Sequence, residues 1–112
     1  MRKLGVVFVL ACLATSVNAG PRLKVYIGQA SRAEVIVQAL VEQAPENRAL
    51  EVVAESEDFY RSSMIELDGE RAPRLNSMVL KKMPSGLYEV TVIVLNAKGD
   101  TIARDFKWVR VV

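Results

Sequence analysis

Apolar residues recur at every second position through most of this chain, and a period of two admits half-buried strands far more readily than helices. The pattern is clearest from Leu87 to Leu95. There Tyr88, Val90, Val92 and Val94 fall on one side, and Glu89, Thr91, Ile93 and Leu95 on the other. Residues 33–41 repeat it, with Ala33, Val35, Val37, Ala39 and Val41 set against Glu34, Ile36, Gln38 and Leu40. A helix over 32–43 competes here, since Ala, Glu, Gln and Leu are good helix formers. The β-branched valines at alternate positions favour the strand. Leu50, Val52 and Ala54 alternate in the same way.

Turn chemistry separates these runs. Ala44-Pro45-Glu46-Asn47, Asp68-Gly69, Pro84-Ser85-Gly86 and Asn96 to Asp100 are breaks of the kind that Gly, Pro, Asn and Asp make. Between them the sequence predicts strands over 23–27, 33–41, 50–55, 60–67, 75–82, 87–95 and 101–112. Gly99 supplies a positive φ for the last hairpin. Seven short strands at this spacing predict an all-β fold, an antiparallel sandwich.

The first residues read differently. Arg2 and Lys3 precede the almost wholly apolar run Leu4 to Ala14, and Val17-Asn18-Ala19 offers small residues at its first and third positions. Positive charge, a short apolar core and a small-x-small site form the layout of a cleavable, helical signal peptide. The apolar run falls short of the roughly 20 residues that span a bilayer. The expected division is a signal peptide over 1–19 and one domain over 20–112, secreted or periplasmic, with no membrane span after cleavage. Val9-Leu10-Ala11-Cys12 offers a second, less favoured processing site, with lipid anchoring at Cys12.

Processing changes the charge. The chain carries 15 basic and 13 acidic residues. Without Arg2 and Lys3 the two signs balance and alternate along the chain. No basic stripe is present to follow a phosphate backbone, so nucleic acid is not an expected partner. Cys12 is the only cysteine, so residues 20–112 hold no disulfide and must rely on packing.

Met83-Pro84-Ser85-Gly86-Leu87-Tyr88-Glu89-Val90 resembles the corner between the fifth and sixth strands of fibronectin type III and related immunoglobulin-like domains, as found in small secreted bacterial proteins. Met78 and Leu80 lie upstream, where those domains place inward apolar residues. The resemblance implies a structural corner built on Pro84, Gly86 and Tyr88. The Tyr88 ring would lie against the core with its hydroxyl on nearby backbone. Val90 would take the place that antibody domains give their second cysteine. The sequence departs from the family in having no buried tryptophan in its third strand; its one tryptophan, Trp108, is in the last.

The chemistry of catalysis is thinly supplied. The chain has no histidine, the commonest general base and a usual zinc ligand. It has no Gly-rich phosphate loop and no Gly-x-Ser-x-Gly elbow. The expectation is a non-enzymatic interaction module without a cofactor or metal. Glu55, Glu57, Asp58, Asp68 and Glu70 could supply oxygens to a hard cation. They lack calcium-loop spacing, and Arg61, Arg71 and Arg74 are close in sequence, so a solvated charged surface is the preferred reading.

Asp58-Phe59-Tyr60-Arg61-Ser62-Ser63 is the stronger candidate for recognition, because aromatics and arginine anchor interfaces. Strand alternation turns one of Phe59 and Tyr60 into the core. Trp108, between Lys107 and Arg110, is a weaker candidate and is expected in the core. The candidate interaction residues are therefore Phe59, Tyr60, Arg61 and Trp108. A protein partner is preferred. A carbohydrate is the alternative, which requires at least two of these rings to be exposed and coplanar. An accessory domain of an envelope assembly is a further one. Ile93, Leu95, Ile36 and Leu40, all on outward faces, hint at an exposed apolar patch.

Overall fold

The computed structural model describes residues 20–112; the signal peptide and the Cys12 processing site lie outside the described residues. Seven strands follow one another: β1 (Leu23–Ser31), β2 (Glu34–Val41), β3 (Ala49–Glu55), β4 (Tyr60–Glu66), β5 (Leu75–Leu80), β6 (Gly86–Leu95) and β7 (Thr101–Val111). One turn of 3-10 helix at Gly69–Arg71 joins β4 to β5. The strands form two sheets of orders β1-β2-β5 and β4-β3-β6-β7, with every pairing antiparallel. Residues 34–41 are strand, so the valine alternation outweighs the helical propensity of that segment.

The two sheets share one core. Val25, Val35, Val37, Ala39 and Leu80 from the smaller sheet meet Leu50, Val52, Ala54, Val90, Val92 and Val94 from the larger. Each of these lies on the side of its strand that the alternation marks as inward. β1 runs four residues beyond the expected Ile27. Gly28 and Gln29 carry no alternation signal, but they face Ile36 and Val35 of β2, which holds them in the ladder. The Asp68-Gly69 break is the start of a short helical turn. Gly69 has φ +54, and a β-carbon there would meet the Pro45 carbonyl oxygen at 3.2 Å.

Tyr88 is 0% exposed, and its hydroxyl donates to the Pro84 carbonyl oxygen at 2.7 Å. Phe59 stands edge-on to it, with ring centroids 5.8 Å apart. Gly86 holds φ +151 just before, a backbone state open mainly to glycine. Met78 is half-buried and Leu80 is buried.

The rims of the sandwich are closed by polar side chains. On one side Asp105 of β7 accepts the Val25 amide of β1 at 3.1 Å, and Gln29 exchanges hydrogen bonds with the backbone of Val112. On the other side Arg61 of β4 donates to the Lys81 carbonyl oxygen at 2.6 Å, reaching across to the smaller sheet. Inward-pointing charges at edge strands also discourage pairing with other chains.

Candidate functional site

The outer face of the larger sheet carries the most exposed aromatic surface. Register sets its rows. Tyr60 of β4 lies beside Glu55 of β3, then Glu89 of β6, then Trp108 of β7. The next row reads Ser62, Val53, Thr91 and Phe106, and the one after it Met64, Glu51, Ile93 and Arg104. Side chains opposite one another in a ladder share a face. Tyr60, Trp108 and Phe106 are 63%, 59% and 42% exposed. Three strand spacings separate Tyr60 from Trp108, about 14 Å at ~4.8 Å each.

Trp108 corrects the expectation of a core position. β7 is an edge strand. Its inward residues Asp105 and Lys107 lie at the rim, where water is within reach, and the side bearing Phe106 and Trp108 points away from the core. Phe106 was not singled out from the sequence. The signal for it is the charged pair Arg104 and Arg110 on the same alternation as Phe106 and Trp108, which marks that side as outward. A register shift between Val94 and Leu95 then lets both Ile102 and Ala103 pack on the core.

The segment 58–63 is divided between two places. Tyr60 belongs to the outer face. Phe59 is half-buried against the core, and the Arg61 guanidinium lies 5.3 Å from the centre of its ring. A cation over an aromatic face is an attractive arrangement. Here it holds the rim together with the Lys81 bond, so Phe59 and Arg61 support the fold while Tyr60 and Trp108 face solvent. The structural corner residues Pro84, Gly86 and Tyr88 lie at the start of β6, apart from the aromatic rows.

Glu55 and Glu89 stand directly opposite each other between the two outer rings. Like charges in that position oppose sheet stability. The row thus offers two hydrogen-bond acceptors flanked by two aromatic surfaces. Ser62 donates to Glu51 Oε2 at 3.2 Å one row further on. Among the described residues, no three acidic, cysteine or histidine side chains converge to hold a metal ion, so Glu55, Glu57, Asp58, Asp68 and Glu70 do not form one cluster.

The apolar residues Ile36, Leu40, Ile93 and Leu95 do not make one patch. Ile36 and Leu40 lie on the outer face of the smaller sheet, with Tyr26, Leu75 and Val79, whereas Ile93 and Leu95 lie on the opposite side of the molecule. A shallow open cleft at the end of β1 and β2 is lined by Arg22, Lys24, Leu40, Glu42, Gln43 and Arg74. The Glu42 carboxylate there already accepts the Arg22 amide at 2.9 Å.

No protein-family model matches the sequence, and no curated protein matches it. Solved structures do share the fold. A family 76 glycoside hydrolase from a bovine Bacteroides thetaiotaomicron strain superposes with a TM-score of 0.63 at 17% identity, over 81% of this chain and 20% of the hydrolase. The catalytically inactive OgpA from Akkermansia muciniphila, solved with an O-glycopeptide, gives a TM-score of 0.59 at 15% identity, over 83% of this chain and 29% of its own. The chain thus spans between a fifth and a third of the length of these proteins. At such identities the likeness concerns the fold alone.

Proposed function

We propose that the chain is an exported, non-enzymatic binding module that recognises its ligand with the outer face of the four-stranded sheet. The observation that carries this reading is the exposure of Trp108 beside Phe106 and across from Tyr60. Large aromatic rings left in water on one face of a sheet are a costly arrangement for a fold that needs none of them in its core. The fold we assign is immunoglobulin-like, of the fibronectin type III kind. The three-plus-four strand order and the Tyr88 hydroxyl bond to Pro84 support that assignment. The small-x-small site before Gly20 supports export.

A protein partner fits the apolar members Met64, Val53, Ile93 and Phe106. A carbohydrate is the second reading, and the row Tyr60-Glu55-Glu89-Trp108 favours it. Aromatic faces stack on the C–H faces of sugar rings, and carboxylates accept their hydroxyls. The structural neighbours, a glycoside hydrolase and a protein bound to a glycopeptide, point the same way. In both readings the domain serves by binding, as one part of a larger protein or assembly would.

Trp108 is the only tryptophan in the chain, so its fluorescence reports directly on the proposed face. A panel of soluble glycans and a pull-down from the cell envelope are the two arms of the test. A ligand found in either arm should shift the Trp108 emission and lose its affinity in a Phe106→Ala, Trp108→Ala variant. A ligand whose affinity is unchanged by that double substitution places recognition elsewhere and removes the proposal.

A further inference from the structure

The four edge strands of the sandwich are not equally guarded. β1 is covered by Asp105 and Gln29, β4 turns Arg61 inward, and β7 carries Arg104, Asp105, Lys107 and Arg110. β5 reads Leu-Asn-Ser-Met-Val-Leu from 75 to 80, without a charge, a proline or a glycine. Charges, prolines and bulges are the usual means by which an edge strand avoids another chain. β5 has none of them within its length.

Register shows which of its backbone groups are free. The Val41 amide donates to the Arg74 carbonyl oxygen at 2.7 Å, so residue 74 faces β2. In an antiparallel ladder the direction alternates. Asn76, Met78 and Leu80 therefore also face β2, and Leu75, Ser77 and Val79 turn their N–H and C=O groups outwards. The Lys81 carbonyl follows the same alternation and is taken by Arg61. The open edge thus runs from Leu75 to Val79 and offers three outward donor and acceptor pairs.

We infer that this edge pairs antiparallel with the same edge of a second copy of the chain. Only odd residues can face each other across the new ladder, and that parity restricts the register. The symmetric solution centred on β5 puts Ser77 on the two-fold axis. Leu75 then lies opposite Val79 of the second copy, and Val79 opposite its Leu75. Both side chains are exposed in the single chain and lie on the outer face of the smaller sheet. Pairing lines up Leu40, Leu75, Val79 of the second copy and Ile36 of the second copy in one cross-strand row, since Leu40 neighbours Leu75 and Ile36 neighbours Val79. Arg74 falls opposite Leu80, and Lys81 opposite Pro73, so no two basic residues stand directly opposite, but each end of the ladder gathers Arg74 of one copy near Lys81 and Lys82 of the other, a like-charge contact that weakens the dimer at low salt. A single six-residue edge buries less than the roughly 800 Å² per partner of a standard stable interface, so the dimer is reversible and concentration-dependent.

The surface is separate from the aromatic face, and the inference stands whatever that face binds. Sedimentation equilibrium of the chain as recovered from expressing cells should show its average mass rise with concentration from monomer towards dimer. Val79→Lys places a charge on an already exposed site. It should weaken the dimer about tenfold or more while leaving the melting temperature of the monomer in place. Ser77→Cys, in a Cys12→Ser background, should form an interchain disulfide on mild oxidation, because opposed residues of a ladder have Cα atoms about 5.5 Å apart. Gln38→Cys, beside Ser77 on the central strand, should not. A chain that stays monomeric, a Ser77→Cys variant no more crosslinked than Gln38→Cys, or a dimer indifferent to Val79→Lys overturns the inference.

Discussion

Tyr88 combines two demands in one side chain. Its ring fills the junction of β6 with the preceding loop, and its hydroxyl is satisfied by the Pro84 carbonyl. A buried phenol needs such a partner, because an unpaired polar group in the core loses its water without compensation. Tyr88→Phe removes the hydrogen bond alone and should cost about 1 kcal/mol. Tyr88→Ala also removes the ring and the edge-on contact with Phe59, and should cost about 3–5 kcal/mol. Urea unfolding separates the two variants, and a Tyr88→Ala midpoint equal to the parent's would contradict the corner. This residue was legible in the sequence, because Pro84 and Gly86 mark the turn and the alternation sets Tyr88 beside Val90. The partition of Phe59 from Tyr60 was legible only as an alternative. Two adjacent aromatics before a strand do not say which one the turn delivers to the core.

At the level of the strands, β7 is the informative case. Its inward side carries Asp105 and Lys107 between Ala103 and the core residues Val109 and Val111, and its outward side carries Phe106 and Trp108, so charge interrupts the inward side and aromatic rings take the outward one. That arrangement follows from position. β6 is buried between neighbours, so its inward side must be apolar, whereas β7 closes a rim where a carboxylate can reach the free Val25 amide of β1. That bond holds the two sheets together at one edge. Asp105→Ala should cost about 1–2 kcal/mol, because it leaves a part-buried amide without its charged acceptor. Amide exchange at Val25 should accelerate in the same variant. Unchanged protection at Val25 would mean that the packing of β1 alone closes this rim.

On the scale of the whole domain, residues 20–112 enclose one apolar core without a cysteine. Two sheets packed in this way need neither a metal nor a crosslink to make a cooperative unit of this size. Far-ultraviolet circular dichroism should be dominated by strand. The melting temperature should be the same with and without chelator, and with and without reductant. A drop on chelation would bring back a cation at the acidic loops, and a strong helical signal would overturn the strand assignment of residues 34–41. The signal peptide reading has its own check. Intact mass of exported protein should begin at Gly20, and diacylglycerol on Cys12 would replace that reading with an anchored one.

The sequence by itself determined the seven strands, most of the breaks between them and the inward side of each central strand. A period of two is a local property, so it survives without knowledge of the neighbours. It also carried the corner at Pro84, Gly86 and Tyr88, whose bond spans four residues. Tertiary structure alone decided which strands share a sheet, which of them are edges, and so where water reaches. Those are long-range facts, and they determine the surface. They put Trp108 and Phe106 outside with Tyr60, split Ile36 and Leu40 from Ile93 and Leu95, and leave β5 open. Hydrophobic alternation states that a strand has two unlike faces, and only the neighbouring strands decide which of them is covered.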